Sequence, residues 1–503
     1  MKKIIIVGAG IAGLSAGIYA RQSGMDVTIF ESHTIPGGAS TSWRRKGYLF
    51  EGGMHWLTGS SPKVPLNKVW RELGALNDDV PVYNKDPFLT VEFEGRTAFL
   101  YRDVEKLRQH LLELAPEDRN EIDKLCRDIK RFSKVSMPIR DIKNVKVKKK
   151  TSVPLSDFIK MLPAFSRMSF YANQTAGEFA MRFKSPILRA LIRCIIGEEY
   201  SAIGLIFTIA TLASGDGGYP EGGSLAMASR MAKYFESLGG KINYKSRVTQ
   251  VSVKDGISDG VIINGEHFPA DAIIVTQDTL VAIDSLFDPP INEPWAYKMR
   301  QSIKPTLNTF ICLGIEADLS DLPETISFMP HKPLLCGGAE VEFISINNYS
   351  GYEGYAPNGC TAVTSIISGD TYDYWKACRE HGTYEEEKRK LAENFIEILA
   401  ERFPEIREKV ALWDVATPLT YERYLSSYKG SWMSITGKGE KMNGYPSKSE
   451  KIQNVYFAGQ RLSPPGGLPV AVETGRKAVQ YLCRDTGTIF QANINDGMVP
   501  GTY

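Results

Sequence analysis

The sequence predicts an α/β fold, a doubly wound parallel sheet with a mixed α+β portion inserted into it, and three observations predict it. Near the N-terminus a uniformly apolar run, KIIIV at 3–7, leads into GAGIAG, a small-residue helical stretch, and a second apolar run, VTIFE at 27–31. Near the C-terminus NVYFAG, at 454–459, is again followed by a proline- and glycine-rich loop and a helical stretch, LPVAVETGRKAVQYL. The 503 residues between and around them exceed the roughly 100–200 of one simple domain.

Each element has its own reason. An apolar run without alternation, bounded by glycine, suits a strand buried on both faces. In the stretch after it, Leu14, Ile18 and the small Ala12, Ala16 and Ala20 make one packing face, and Gly24 terminates the helix. With VTIFE this is a β-α-β unit of about 30 residues. Gly8, Gly10 and Gly13 fit GxGxxG. The first glycine permits the tight turn, the second lets a pyrophosphate approach the backbone, and the third lets helix and strand pack closely. Free N–H groups of the first turn, at Ile11 and Ala12, then face the phosphate. Glu31 closes the second strand where a ribose ligand is expected, roughly 20 residues on, with Ser32 beside it. Together they read as a dinucleotide site. The acid favours an unphosphorylated ribose, hence FAD or NAD rather than NADP.

Elsewhere, 105–135 and 155–213 have helical periodicity, 241–275 holds strand-like pieces, and 291–435 mixes both, with a charged amphipathic helix around Glu385–Arg402. The tail from Arg484 is polar and expected to be loosely attached. Sixty basic against 58 acidic side chains, net +2, give no global pull toward nucleic acid. Seven scattered cysteines without a CxxC suggest neither a zinc site nor a disulfide framework, and point to reduced cytoplasm. The apolar run at the start is about five residues, short of the roughly 7–15 of a signal core. The best approach to a membrane span, Ala202–Ala213, falls short of roughly 18 apolar residues and reads as a buried helix.

Past Glu31 come Gly37, Gly38, Ala39 and Ser40, then RRKGYLFEGG, ending in Gly53 with Met54 and His55 behind it. A plain NAD domain needs no such extension. VGAGIAGLSAGIYARQSGMDVTIFESHTIPGG resembles the N-terminal FAD signature of the superfamily of phytoene desaturases, amine oxidases and GDP-dissociation inhibitors. PEGGSLAMASRMAKYFESLGGKINYKSRVTQV resembles its middle block, and Val248 falls where that family's backbone meets adenine. ATPLTYERYLSSYKGSW and NVYFAGQRLSPPGGLPVAVETGRKAV resemble the last blocks of carotenoid isomerases and retinol saturases. The resemblance implies a Rossmann-like FAD-binding domain of the two-dinucleotide-binding-domain flavoprotein type, holding FAD non-covalently. That domain would be 1–58, 215–290 and 440–484. A substrate domain with a helical lid would be 59–214 and 291–439, and a tail 485–503.

In the last block the strand ends at Gly459, and Pro464, Pro465, Gly466 and Gly467 make a tight loop. The helix begins at about Pro469, which suits a first turn because it has no amide proton. Its free amides, at Leu468 and Val470, would face the flavin N1–C2=O edge and favour reduced, anionic flavin. The family often places an acid after the AG pair, where this chain has Gln460.

No Ser–His–Asp set and no metal-ligand spacing can be read. His55 is either a polar group near the flavin or a structural hydrogen bonder. Tyr421, Tyr424, Tyr428 and Trp432 either line a substrate tunnel or pack a domain interface, with Tyr424 the second candidate for the chemistry. Arg423 either balances flavin charge or lies on the surface. Such enzymes need little more, because the flavin supplies the reactivity. The protein must bring a substrate carbon within about 3–3.5 Å of flavin N5 and exclude water.

Arg140, Lys143, Lys146, Lys148, Lys149 and Lys150 precede a stretch with Phe158, Met161, Leu162, Phe165, Met168 and Phe170. A basic patch beside apolar residues suits docking on an anionic membrane; the plain alternative is a lysine loop and a core helix. The leading function is an FAD oxidoreductase acting on C–C or C=C bonds of a hydrophobic polyene, as desaturase, saturase or isomerase. An amine oxidase or protoporphyrinogen oxidase is the alternative and predicts peroxide release. A non-enzymatic inhibitor of the same fold predicts damaged glycine motifs, and these are intact. A second GxGxxG, for NAD(P)H, is missing.

Overall fold

The computed structural model describes residues 1–137, 139–148, 155–440 and 444–494. Five parallel strands form the central sheet in the order Val455–Phe457, Ala272–Val275, Lys3–Val7, Asp26–Phe30, Lys241–Asn243. Side chains alternate along a strand, and here both faces are covered. Ile4 and Ile6 join a core with the helices Ile11–Gln22, Gly223–Ser237 and Leu468–Thr486. Ile5 and Val7 join another with the antiparallel sheet Val248–Lys254, Ile257–Ile263, Glu266–Pro269. Burial on two sides is why these strands read as unbroken apolar runs.

Small residues let the helices close on each other. A Cβ on Gly17 would stand 2.9 Å from the Phe235 ring, and one on Gly475 would stand 2.6 Å from the Ala12 carbonyl oxygen. The first and last long helices are thereby locked together, and Ser15 Oγ adds a 2.9 Å hydrogen bond to the Val472 carbonyl.

A second sheet of seven strands runs in the order Val410–Ala416, Asn308–Ile315, Thr361–Ser368, Ile344–Asn348, Thr325–Phe328, Leu89–Phe93, Arg96–Leu100. The helix Tyr384–Arg402 packs with it through Leu391, Phe395 and Leu399. A helical layer, Val104–Leu114, Arg119–Phe132, Leu155–Ala172, Pro186–Ile196 and Ala202–Ala213, shares a core with Leu89, Val91, Ala98 and Leu100 of the last two strands of that sheet. Ala202–Ala213 is a buried helix as expected, and no helix among the described residues is long and apolar enough to cross a membrane.

The tail differs from expectation. Phe490 is 2% exposed. Its ring lies 5.4 Å from that of Tyr19, with the Arg476 guanidinium 4.8 Å over it. The Phe490 N–H donates to Lys146 O at 2.8 Å and its carbonyl accepts from Lys148 N at 3.1 Å. Residues 487–494 are therefore anchored. The same contacts pin part of the basic run, as do Arg476 on Asp141 at 2.8 Å and Ile142 N on Gln480 at 3.0 Å. The Lys149 and Lys150 expectation lies outside the described residues.

Candidate functional site

The carboxyl ends of the parallel strands open onto a cavity of 1480 Å³ that extends to the inner face of the seven-stranded sheet. A crevice beside the first strand, where chain connections leave in opposite directions, is where such sheets bind ligands.

At one end the glycines do what their positions require. Gly8 has φ +102°, and a Cβ on Gly13 would sit 1.9 Å from the Gly8 carbonyl oxygen. Gly13 is thus the packing glycine. A Cβ on Gly10 would meet nothing closer than 3.9 Å, so that backbone faces open space. Gly10 also caps the helix without a side-chain acceptor, which leaves the first amides available. Glu31 Oε2 accepts from Ala9 N at 2.7 Å, and Oε1 from His33 N at 2.7 Å and Ser32 Oγ at 3.3 Å. These bonds aim the carboxylate and leave it further acceptor capacity. Gly37, at φ +115°, donates its N–H to Ala9 O at 2.9 Å and closes the turn over the glycine loop.

At the other end the helix Leu468–Thr486 starts from Gly467, at φ +92°, again without a side-chain cap. Gln460 has a bracing role: its carbonyl oxygen accepts from Gly467 N at 3.0 Å and its amide donates to Trp432 O. That gives the departure from an acid at this position a physical reason, because a carboxylate has no donor for the Trp432 carbonyl.

All the predicted cofactor residues line the cavity (Gly8, Gly10, Ile11, Ala12, Glu31, Ser32, Gly37, Gly38, Ala39, Ser40, Gly53, Met54, His55, Val248, Gly459, Gln460, Gly467, Leu468 and Pro469) except Gly13 and Val470. Tyr424 also lines it, but beside the glutamate end: its ring meets His33 edge-on at 5.3 Å. Arg423 stacks on Tyr424 at 5.2 Å and is exposed. Trp432 lines the cavity, Tyr421 packs on Phe310 at 5.7 Å, and Tyr428 is exposed. The aromatic cluster therefore divides between both readings.

His55 is half-buried in the cavity wall, and its Nε2 is buried with no hydrogen-bond partner. Burial, helped by the charge of Lys85, pushes its pKa down to about 4. It is a neutral imidazole at ordinary pH.

Three residues of the site escaped the motif reading. Glu51, wholly buried, accepts from Gly53 N (2.8 Å) and Met54 N (3.1 Å) on one oxygen. Its other oxygen accepts from Ser42 Oγ (3.2 Å), Tyr219 OH (2.8 Å) and Ser224 N (2.9 Å). An acid directly before two glycines was the available signal. Asp278, just past the strand Ala272–Val275, and Arg461, just past Gln460, form a buried pair.

The remaining lining is apolar for the most part, with Phe88, Leu89, Ile195, Ile196, Phe207, Phe343 and Met433, and with Met161 and Met168 from the helix Leu155–Ala172. Met161 is 7% exposed and so faces inward. Ile159, Leu162 and Phe165 are exposed at 57%, 49% and 37%.

Residues 11–483 match the family described as flavin containing amine oxidoreductase. The chain belongs to that family. It is a flavin-dependent oxidoreductase, and its curated relatives lie in the carotenoid-modifying branch. A prolycopene isomerase from an Oncidium hybrid cultivar is 27% identical over 98% of this chain and 85% of the relative. A 4,4'-diapophytoene desaturase of Methylomonas sp. is 25% identical over 96% and 95%. A phytoene desaturase of Pseudescherichia vulneris is 23% identical over 96% and 100%. Among solved structures, an oxidoreductase from Methanosarcina mazei superposes with TM-score 0.58 at 18% identity, covering 94% of this chain and 98% of that one. A cyclohexylamine oxidase from Brevibacterium oxydans gives 0.61 at 13%, covering 97% and 99%. These share the fold.

Proposed function

We propose that the chain binds FAD non-covalently and acts on C–C or C=C bonds of a hydrophobic polyene, as desaturase, saturase or isomerase. One observation carries the reading: the glycine cradle and a largely apolar lining belong to a single cavity. The open backbone at Gly10 and the amides at the two uncapped helix starts fit a dinucleotide of this kind.

In this reading segments 1–58, 215–290 and 440–484 hold the cofactor, and 59–214 with 291–439 hold the substrate. Bound FAD would supply a two-electron acceptor or donor. The chain's own groups orient and exclude. Glu31 takes the ribose hydroxyls, the glycine-loop amides take the pyrophosphate, and the start of the helix Leu468–Thr486 favours negative charge beside it. Gly53 and Met54, fixed by Glu51, form a wall that cannot drift. The apolar lining keeps water from the reacting carbon.

The helix Leu155–Ala172 suits contact with a membrane surface. Ile159 and Leu162 point out, Met161 and Met168 face the cavity, and Phe165, 37% exposed, also reaches the cavity; Lys143, Lys146 and Lys148, earlier in the chain, are exposed. A lipid-borne substrate would enter there, from the cytoplasmic side.

The test is the visible spectrum of purified protein, before and after anaerobic NAD(P)H, then with a C40 polyene. Flavin bands that bleach with NAD(P)H support a saturase, and bands that bleach only with polyene support a desaturase. Peroxide release with an amine would replace the polyene reading, and protein that stays colourless after incubation with FAD would overturn it all.

A further inference from the structure

The cavity wall is not apolar throughout. Lys85, Thr325, Asn347 and His55 all line it, Thr325 and Asn347 from strands of the seven-stranded sheet. Thr325 and Asn347 are directly paired across two neighbouring strands, so their side chains share one face. The Lys85 side chain is 9% exposed, and its Nζ donates to Thr325 Oγ1 at 3.4 Å. Thr325 in turn donates to Asn347 Oδ1 at 3.1 Å.

The ammonium is poorly compensated. Its carboxylate neighbour, Glu324, stands at 3.7 Å and is itself 43% exposed and held by Tyr352 OH at 3.0 Å. Its two polar contacts lie at or beyond the long limit for a hydrogen bond, and the Tyr352 ring stands 5.8 Å from the ammonium. An ammonium has three protons to place. A buried cation is costly unless it is paired and hydrogen-bonded. His55 faces the same cavity with an unpartnered Nε2. A pure hydrocarbon would bring no polar partner to the Lys85 ammonium or to His55 Nε2.

We propose that Lys85, with Thr325, Asn347 and His55, receives a carboxylate at the end of an otherwise apolar chain, so that the preferred substrate is a polyene acid. This rests on the cavity being the substrate chamber. The carboxylate accepts from Lys85 Nζ and the chain lies along the Phe88, Ile196 and Phe207 wall. The position of the acid then sets which carbon reaches the reaction centre.

The experiment titrates FAD-loaded protein with cis-parinaric acid and with its methyl ester, reading the fluorescence of the tetraene. The two ligands share a chain and differ in the charge at its end. The acid should bind at least about 10-fold more tightly than the ester, about 1.4 kcal/mol, because only the acid offers the buried ammonium a close anionic partner. Lys85→Met should remove that preference and leave ester binding unchanged, and Lys85→Arg should keep it. Equal binding of acid and ester to the unaltered protein overturns the proposal. So does a Lys85→Met loss shared by both ligands with the flavin spectrum intact, since that is a structural effect. If neither ligand binds while the flavin bands are present, the polar terminus falls and the flavin reading stands. Absent flavin bands are the separate failure of that reading.

Discussion

Arg461 and Asp278 meet in a two-point ion pair inside the cavity wall, Nη2 to Oδ2 at 2.7 Å and Nε to Oδ1 at 3.1 Å, with side chains 3% and 6% exposed. Arg461 also donates to Met433 O at 2.9 Å, Ser434 Oγ at 2.8 Å and Ser431 Oγ at 2.6 Å, and Asp278 accepts from Tyr428 N at 3.0 Å. The pair thereby ties the end of the Ala272–Val275 strand to the 428–434 block and to the loop after Gly459.

Breaking it from one side strands a buried charge. Asp278→Leu should cost about 3–5 kcal/mol. The double variant Asp278→Leu with Arg461→Met should cost less than the sum of the two single changes, since the charges leave together. Urea unfolding of the four proteins measures both. A single-variant loss under 1 kcal/mol would show that the pair contributes nothing net.

Gly13→Ala drives a methyl group into the Gly8 carbonyl. The strand–helix junction must open, at the roughly 1–3 kcal/mol of overpacking or more. The glycine-loop amides then lose their common aim. The variant should purify without flavin bands, whereas Gly24→Ala, with nothing within 4 Å of its added methyl, should retain them. Colour in both would mean that the loop does not hold the cofactor.

His55 gives a pH dependence of known sign. Its folded pKa, about 4, lies below the ordinary 6.5. Above 6.5 the imidazole is neutral in both states and has no effect. Between 6.5 and 4 the unfolded chain takes up the proton and the folded one does not, so stability falls as pH falls. At about 1.36 kcal/mol per unit the loss reaches on the order of 2–3 kcal/mol by pH 4. His55→Gln should flatten the stability profile in that window and leave it unchanged above pH 7.

Phe490→Ala removes a ring held between Tyr19 and Arg476. A loss of about 3 kcal/mol is expected if the core opens with it. If the segment frays alone, a protease should cut within residues 487–494 of the variant and leave the parent whole.

The glycine motifs were legible because their constraints are local. Gly8, Gly13 and Glu31 act on neighbours within one β-α-β unit, and a single strand–turn–helix states the purpose. Glu51 and Lys85 were not. Glu51 gathers Tyr219 and Ser224 from more than 160 residues away, and Lys85 finds Thr325 across 240. No pattern near either residue announces such a partner. Gln460 was noticed as a departure, yet its reason lies in Trp432, which only the folded loop brings near. The tail misled through its composition. Phe490 among the polar residues up to 494 reads as part of a solvated end, and its burial depends on Tyr19 and Arg476 in other elements.

The pairing of the Val455–Phe457 strand with Ala272–Val275, beside a first strand laid down at residues 3–7, has a consequence for biosynthesis. The ribosome makes Phe30 and then, some 425 residues later, Val455. At about 5–20 residues per second that is a wait of roughly 20 to 85 seconds. Through that interval the sheet lacks the strand that flanks Ala272–Val275 and the helix Leu468–Thr486 that covers its first strand. The flavin site can be fully enclosed only once the helix Leu468–Thr486 has been made.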